Sequence, residues 1–167
     1  MIGDDHTMVR QGLRKILEEQ TAWQVIAEVA DGRAAIQQCV ALAPDVAILD
    51  VGMPILNGTE AAYQIRRCSP GVRVLMLSMY SDEAYVTRAV QAGAAGYVLK
   101  DCAGTELINA VELIADGHAY FSPQIARFML DDYVRRLHGA RVADRLETLS
   151  PREREIFQLI SEALTSK

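Results

Sequence analysis

Three short apolar runs constrain the fold of this 167-residue chain more than any other feature. They are "DVAILD" (45–50), "VRVLMLS" (72–78) and "AGYVLK" (95–100). Each is nearly continuous in apolar residues and bounded by turn signals, which is typical of strands buried on both faces. Amphipathic segments with helical periodicity separate them. Strands that alternate with helices predict a doubly wound parallel sheet with helices on both faces.

Two further segments complete the predicted sheet. Residues 23–30, "WQVIAEVA", predict another strand because they are rich in β-branched and small apolar residues. Residues 1–3 precede an acid pair, so the first strand is either a short stub or continues into residues upstream of Met1. Residues 1–118 therefore predict a five-stranded α/β domain. We expect its helices over residues 7–20, 32–43, 59–68, 82–92 and 105–115.

The pattern changes after residue 118. Residues 119–147 contain no strand-like run, and Ser122-Pro123 is typical of a helix start, so we expect a helical linker that runs towards His138. Residues 148–167 form the last predicted segment. Ser150 and Glu153 there have the spacing of a capping box, followed by an apolar stripe at Ile156, Leu159, Ile160 and Ala163.

Composition excludes several classes of protein. The 17 basic and 22 acidic residues give a net charge of −5 and are interspersed, which disfavours a chain that is mainly a nucleic-acid footprint. Three cysteines without a CxxC pair indicate reduced thiols in a cytosolic protein. No stretch approaches the roughly 18 apolar residues of a membrane span. The N-terminus lacks the layout of a signal peptide, so we expect a cytoplasmic protein.

Polar residues stand where several of the predicted strands end. Asp50, Ser78 and Lys100 end three apolar runs, and Asp4 and Asp5 follow the first segment. In sheets of this type ligands bind beyond the carboxyl ends of the strands, where the strand order reverses. Each of these residues alone is more often a helix cap, a turn residue or a solvated side chain. Together they favour a site.

The chemistry of such a set suits phosphoryl transfer. A carboxylate that attacks phosphorus gives an acyl phosphate. The transfer needs in-line positioning and cations on the phosphoryl oxygens, which a divalent cation among crowded carboxylates and the Lys100 ammonium would supply. The Ser78 hydroxyl can donate to another oxygen.

Several ordered motifs then carry a resemblance. Residues 4–6 "DDH", 49–61 "LDVGMPILNGTEA", 76–86 "MLSMYSDEAYV" and 93–101 "GAAGYVLKD" resemble a bacterial response-regulator receiver domain. Residues 149–167, "LSPREREIFQLISEALTSK", resemble the start of a LuxR-type helix-turn-helix. The whole chain is similar to the NarL/FixJ family.

The resemblance implies a phosphoryl acceptor and a metal site. Asp50 would accept the phosphoryl group from a sensor histidine kinase. Mg²⁺ would be held by Asp4, Asp5, Asp50 and the backbone carbonyl of Gly52. His6 stands beside these acids, but we interpret it as a surface turn residue because all-oxygen coordination suits Mg²⁺.

The resemblance also implies a switch. Lys100 would pair with the phosphate, the Ser78 hydroxyl would move to it, and the Tyr97 ring would turn inward. Tyr80 is a competing aromatic residue, and Tyr97 could instead be an ordinary core residue. Asp101 follows the lysine where most receivers have proline, as is usual for this subfamily. We expect a homodimer on activation.

Alternative functions remain beside the leading one, a transcription regulator that is not an enzyme. Family members continue into scaffold and recognition helices, so we expect DNA binding only through residues missing from this sequence. A stand-alone phosphorelay or dimerisation module without DNA binding is the second hypothesis. A haloacid-dehalogenase-type phosphatase would need an acid two positions after Asp50, where Gly52 stands. A Rossmann enzyme would need a GxGxxG motif after a strand, and no such motif follows any of the predicted strands.

Overall fold

A six-stranded parallel sheet organises the residues that the structure describes, 1–130 and 134, in a computed structural model. The strand order is β2-β1-β3-β4-β5-β6. The strands are β1 (Ile2–Gly3), β2 (Glu28–Val29), β3 (Val46–Asp50), β4 (Arg73–Ser78), β5 (Gly96–Leu99) and β6 (Tyr120–Phe121). The helices are α1 (Thr7–Glu18), α2 (Gly32–Leu42), α3 (Gly58–Cys68), α4 (Glu83–Ala92) and α5 (Ala103–Ala115). The predicted doubly wound α/β fold is confirmed.

The helices form two layers around the sheet. Helix α1 packs beside α5, while α3 is a neighbour of both α2 and α4. Side chains alternate along the buried strands, so each strand contributes to a core on both of its faces. On the α1–α5 side, Leu13, Leu17 and Leu107 pack against Ile48 and Leu75. This double burial explains why the interiors of β3, β4 and β5 are apolar.

Local sequence signals set the starts of helices α2 and α3. Asp31 caps α2 by accepting the Ala34 backbone N–H at 2.8 Å. Asn57 caps α3 by accepting the Glu60 N–H at 2.8 Å. Both are the short polar side chains that satisfy unpaired N–H groups at a helix start. The loop between β3 and α3 therefore ends at a defined residue.

The structure corrects two expectations about strands. The strand predicted over residues 23–30 is only Glu28–Val29, because β1 offers just Ile2 and Gly3 as pairing partners. A sixth strand, Tyr120–Phe121, pairs in parallel with β5, so the sheet has six strands and extends past residue 118. Gly117, at a φ of 100°, allows the turn after α5 that returns the chain to this edge.

The chain divides into two compact units, Met1–Ala126 and Arg127–Lys167. In the first unit, residues 123–126 are helical, as predicted after Ser122. In the second unit, residues 127–130 and 134 are helical. The rest of the predicted linker (119–147) and the predicted segment 148–167, with its capping box, lie outside the described residues. Within the described part, no helix is both long and apolar enough to cross a bilayer.

We predict opposite effects for alanine at two glycines. A Cβ on Gly58 would lie 2.0 Å from the Asp50 carbonyl oxygen, so Gly58→Ala should lower the free energy of unfolding by about 1–3 kcal/mol. The matched control is Gly12→Ala, within α1, where a Cβ meets no atom within 4 Å. This control should gain up to about 1 kcal/mol. Urea unfolding measures both, and a neutral Gly58→Ala would contradict the close approach.

Candidate functional site

Three strand ends meet through one ammonium group. Asp4 follows β1 and Asp50 ends β3, at the point where the strand order reverses, and Lys100 follows β5. Lys100 Nζ lies 2.7 Å from Asp4 Oδ2 and 3.0 Å from Asp50 Oδ1. Asp4 is completely buried and Asp50 nearly so. The structure thus brings these three candidate residues into direct contact at the carboxyl edge of the sheet.

Burial sets the electrostatics of the pair. It raises the pKa of Asp50, although Lys100 and a backbone hydrogen bond from Gly52 act in the opposite direction. Burial by itself lowers the pKa of Lys100, but its contacts with Asp4 and Asp50 outweigh this, and the pKa is raised. The pKa of Asp50 and the pKa of Lys100 can both be raised because the lysine is stabilised by two carboxylates, Asp4 and Asp50, whereas Asp50 contacts one lysine. The ammonium therefore stays charged, while an ionised Asp50 costs stability.

Asp5 and His6 form the more exposed side of the acidic cluster. His6 Nδ1 lies 2.7 Å from Asp5 Oδ1 and 3.3 Å from Asp4 Oδ1. Among the described residues, Asp4, Asp5 and His6 are the group whose potential metal-binding atoms all lie within 4.8 Å of one another. The His6 ring is largely exposed but contacts both acids. Its exposure agrees with the surface position expected from the sequence, and its contacts with both acids are an addition from the structure.

Gly52 keeps one side of the Asp50 carboxylate free of a side chain. A Cβ built on Gly52 would lie 3.5 Å from Asp50 Oδ2, the oxygen other than the one nearest to Lys100. A cleft of about 610 Å³ lies beside this loop, with walls that include Gly52, Tyr63 and Tyr80. Asp50 therefore has one oxygen close to a cation and a second oxygen next to an unobstructed glycine.

Ser78 and Tyr97 hold the same loop residue. The Ser78 hydroxyl accepts the Tyr80 backbone N–H at 3.0 Å, and the Tyr97 hydroxyl donates to the Tyr80 carbonyl at 2.7 Å. Ser78 and Tyr97 are fully buried, whereas Tyr80 is 49% exposed and stacks on Tyr85. Burial raises the pKa of Tyr97, which keeps its hydroxyl protonated as a donor. Of the two competing aromatics, Tyr97 is therefore the one with its ring inside.

Arg10 is a contact residue that the sequence analysis missed. Its Nη1 donates to the Asp4 backbone carbonyl at 2.7 Å, and its Nε lies 3.6 Å from Glu28 Oε2 on β2. The guanidinium thus ties the acid pair to the neighbouring strand. A basic residue one turn into the helix after an acid pair is a weak signal, because most such residues are solvated.

The Asp50 charge leads to a stability prediction in metal-free buffer. Because the folded pKa is raised, the native state holds this proton more tightly than the unfolded chain does. Ionised Asp50 therefore lowers stability at neutral pH, and the loss disappears as the pH falls through the raised pKa. Asp50→Asn should be more stable than the wild type at neutral pH, by a margin that narrows on acidification.

Urea unfolding with EDTA at a series of pH values measures that margin. The matched control is Glu112→Gln on α5, an exposed acid away from the site, which should show no comparable trend. A variant Asp50→Asn that is less stable than the wild type at neutral pH would contradict the assigned cost of burial.

Comparisons with known proteins support the family suggested by the motifs. Residues 1–112 match the family model of the response regulator receiver domain. The transcriptional regulatory protein DegU of Brevibacillus brevis is 33% identical over all of this chain and 76% of its own length. The oxygen regulatory protein NreC of Staphylococcus haemolyticus is 35% identical over all of this chain and 78% of its own length.

Solved structures agree with the sequence relatives. A LuxR-family two-component response regulator from Aurantimonas superposes with a TM-score of 0.77 at 35% identity, covering 80% of this chain and 96% of that chain. The receiver domain of the putative response regulator NarL from Mycobacterium tuberculosis gives a TM-score of 0.68 at 39% identity, covering 70% and 94%. The resemblance inferred from the motifs is confirmed, and the chain belongs to the NarL/FixJ family of two-component response regulators.

Proposed function

We propose that Asp50 accepts a phosphoryl group from a sensor histidine kinase and that this step controls a transcription-regulating output. The observation that carries the proposal is the contact of one ammonium group, Lys100 Nζ, with both Asp4 and Asp50 at the strand ends. We assign the receiver to residues 1–118 together with β6, which completes its sheet, the linker to the residues from there to 147, and the start of a LuxR-type helix-turn-helix to 148–167. The protein acts as a regulated acceptor and not as an enzyme.

The chemistry follows from the two oxygens of Asp50. One oxygen attacks the phosphorus of the kinase phosphohistidine, the P–N bond breaks, and the imidazole leaves with the bonding electrons. We propose Asp50 Oδ2 as the attacking oxygen, because it lies beside Gly52, which has no side chain, while Oδ1 contacts Lys100. The lysine can then move its charge from the carboxylate to a phosphoryl oxygen with little displacement.

The acidic cluster fits a magnesium ion. Asp4 and Asp50 share the Lys100 ammonium, and Asp5 beside Asp4 adds a third carboxylate, so the lysine charge alone does not balance the acids of the site. The ion would take oxygen ligands from Asp5, Asp50 and the Gly52 carbonyl. Asp4 would lie on the buried side of the ion. Bound there, the ion would neutralise charge on the phosphoryl oxygens.

Ser78 and Tyr97 form the proposed switch. Both side chains form hydrogen bonds with the Tyr80 backbone, so two buried hydroxyls fix this residue of the β4–α4 loop. If the Ser78 hydroxyl turns towards a phosphoryl oxygen, it releases the Tyr80 N–H, and the loop changes its conformation. We propose that this change promotes a homodimer and that the regulated output is DNA binding.

We predict a phosphate adduct on Asp50. Incubation with Mg²⁺ and acetyl phosphate should add one phosphoryl group, seen by intact-mass spectrometry, because the small donor replaces the kinase. Asp50→Asn should lose the adduct, and Lys100→Met should reduce it strongly. Asp31→Asn, which changes the α2 cap, is the control and should keep it. An unchanged adduct on the Asp50→Asn protein would sink the assignment.

We predict that divalent binding requires Asp5. Asp5→Ala removes an oxygen ligand from the exposed side of the cluster, and the Mg²⁺ affinity should fall by at least about tenfold. Calorimetric titration of Mg²⁺ measures the affinity. Asp116→Ala, which removes an exposed carboxylate after α5, should bind like the wild type. Equal affinities for wild type and Asp5→Ala would indicate that Asp5 only shapes the turn.

A further inference from the structure

The position of the His6 ring is not explained by packing or by helix capping. His6 is the N-cap residue of α1, but its side chain makes no capping hydrogen bond. The side chain is 67% exposed, so burial does not hold it either. Its backbone N–H donates to Asp4 Oδ1 at 2.9 Å, while its ring turns back to lie 2.7 Å from Asp5 Oδ1. The ring is therefore oriented by its contacts with the two acids, of which the one with Asp5 is shorter than the 3.3 Å contact with Asp4 Oδ1.

His6 Nδ1 and Asp5 Oδ1 lie at ion-pair distance, and the chemistry of the two groups fixes which of them carries the proton. An ionised carboxylate only accepts, so the proton between His6 and Asp5 belongs to Nδ1 of the ring. This donation occupies Asp5 Oδ1 and limits rotation of the carboxylate, leaving Oδ2 for another partner. In proteins, groups that hold metal-binding carboxylates or imidazoles in this way strongly affect affinity for the ion.

We propose that His6 is a positioning residue that presents the Asp5 carboxylate to the divalent cation without binding the cation itself. The inference rests on the metal site of the proposed function and assigns a role to a residue outside its ligand set. With its proton directed at Asp5, Nδ1 has no lone pair to offer an ion, so a ligand role for His6 would require the other ring nitrogen, Nε2. His6 thus fixes one carboxylate, much as Lys100 fixes the buried pair from the other side.

A ligand role for His6 makes a different prediction. A nitrogen ligand favours Mn²⁺ over Mg²⁺, because imidazole binds transition ions more tightly than it binds Mg²⁺. Loss of a nitrogen ligand would then lower the affinity for Mn²⁺ more than the affinity for Mg²⁺. Loss of a positioning hydrogen bond would weaken both ions by a similar factor, because the same oxygen ligand becomes less well oriented for each.

The experiment is a pair of metal titrations on the full chain, with Mg²⁺ and with Mn²⁺, at a pH of about 8, where a free imidazole is neutral. His6→Ala should lower the affinity for both ions by about 10- to 100-fold, the range seen when a group that supports a metal ligand is lost. His6→Gln, whose amide can donate to Asp5, should recover a large part of the affinity. His118→Ala, at an exposed histidine beyond α5, is the matched control and should bind like the wild type.

Three results would overturn the inference: unchanged Mg²⁺ affinity in His6→Ala, a loss confined to Mn²⁺, or no recovery in His6→Gln. Thermal unfolding of each variant checks that the fold is intact. Asp5→Ala separates the two proposals. If Asp5→Ala loses Mg²⁺ binding and His6→Ala keeps it, only the role of His6 fails. If Asp5→Ala keeps it as well, the proposed metal site fails.

Discussion

The ion pairs of Lys100 with Asp4 and Asp50 are the interaction on which the site depends. Two buried carboxylates at adjacent strand ends repel each other, and burial makes each charge more costly. Lys100, at the end of a third strand, lies within 3.0 Å of both. Because the lysine has two partners, it can give up its contact with Asp50 and still be paired with Asp4. In the proposed function, this second partner keeps the buried ammonium group paired when a phosphoryl group or a divalent cation enters the site.

Backbone contacts hold the acids in place, which leaves their side chains available for chemistry. Arg10 donates to the Asp4 carbonyl, and the absence of a side chain at Gly58 lets α3 begin against the Asp50 carbonyl. His6 adds a side-chain contact to Asp5 from the exposed side. Each acid thus has its own support. Their carboxylate oxygens remain directed to the same edge of the sheet, where the strand order reverses.

The proposed switch is tied to the end of the sheet through the main chain. The Tyr97 carbonyl accepts the Ser122 N–H at 2.9 Å, immediately after β6. Ser122 is buried, and its hydroxyl donates to Glu106 on α5. Phe121 pairs directly with Tyr97 in the ladder. The residue whose hydroxyl holds Tyr80 therefore lies one hydrogen bond away from the segment that follows the sheet, a short route from the site to that segment.

The first five strands, the helices between them and the acids at the strand ends could be predicted from the sequence, because strands buried on both faces must be apolar until the chain leaves the sheet. The sequence also carried the motifs that led to the family. The lengths of two strands could be read only from the folded chain. Within residues 23–30 only two residues form a strand, and residues 120–121 form another, since two-residue strands exist only where a partner edge is present. The tertiary structure likewise decided the contacts of Arg10 and His6. Both side chains turn back towards the acids, and a contact through space leaves no periodic pattern in the sequence.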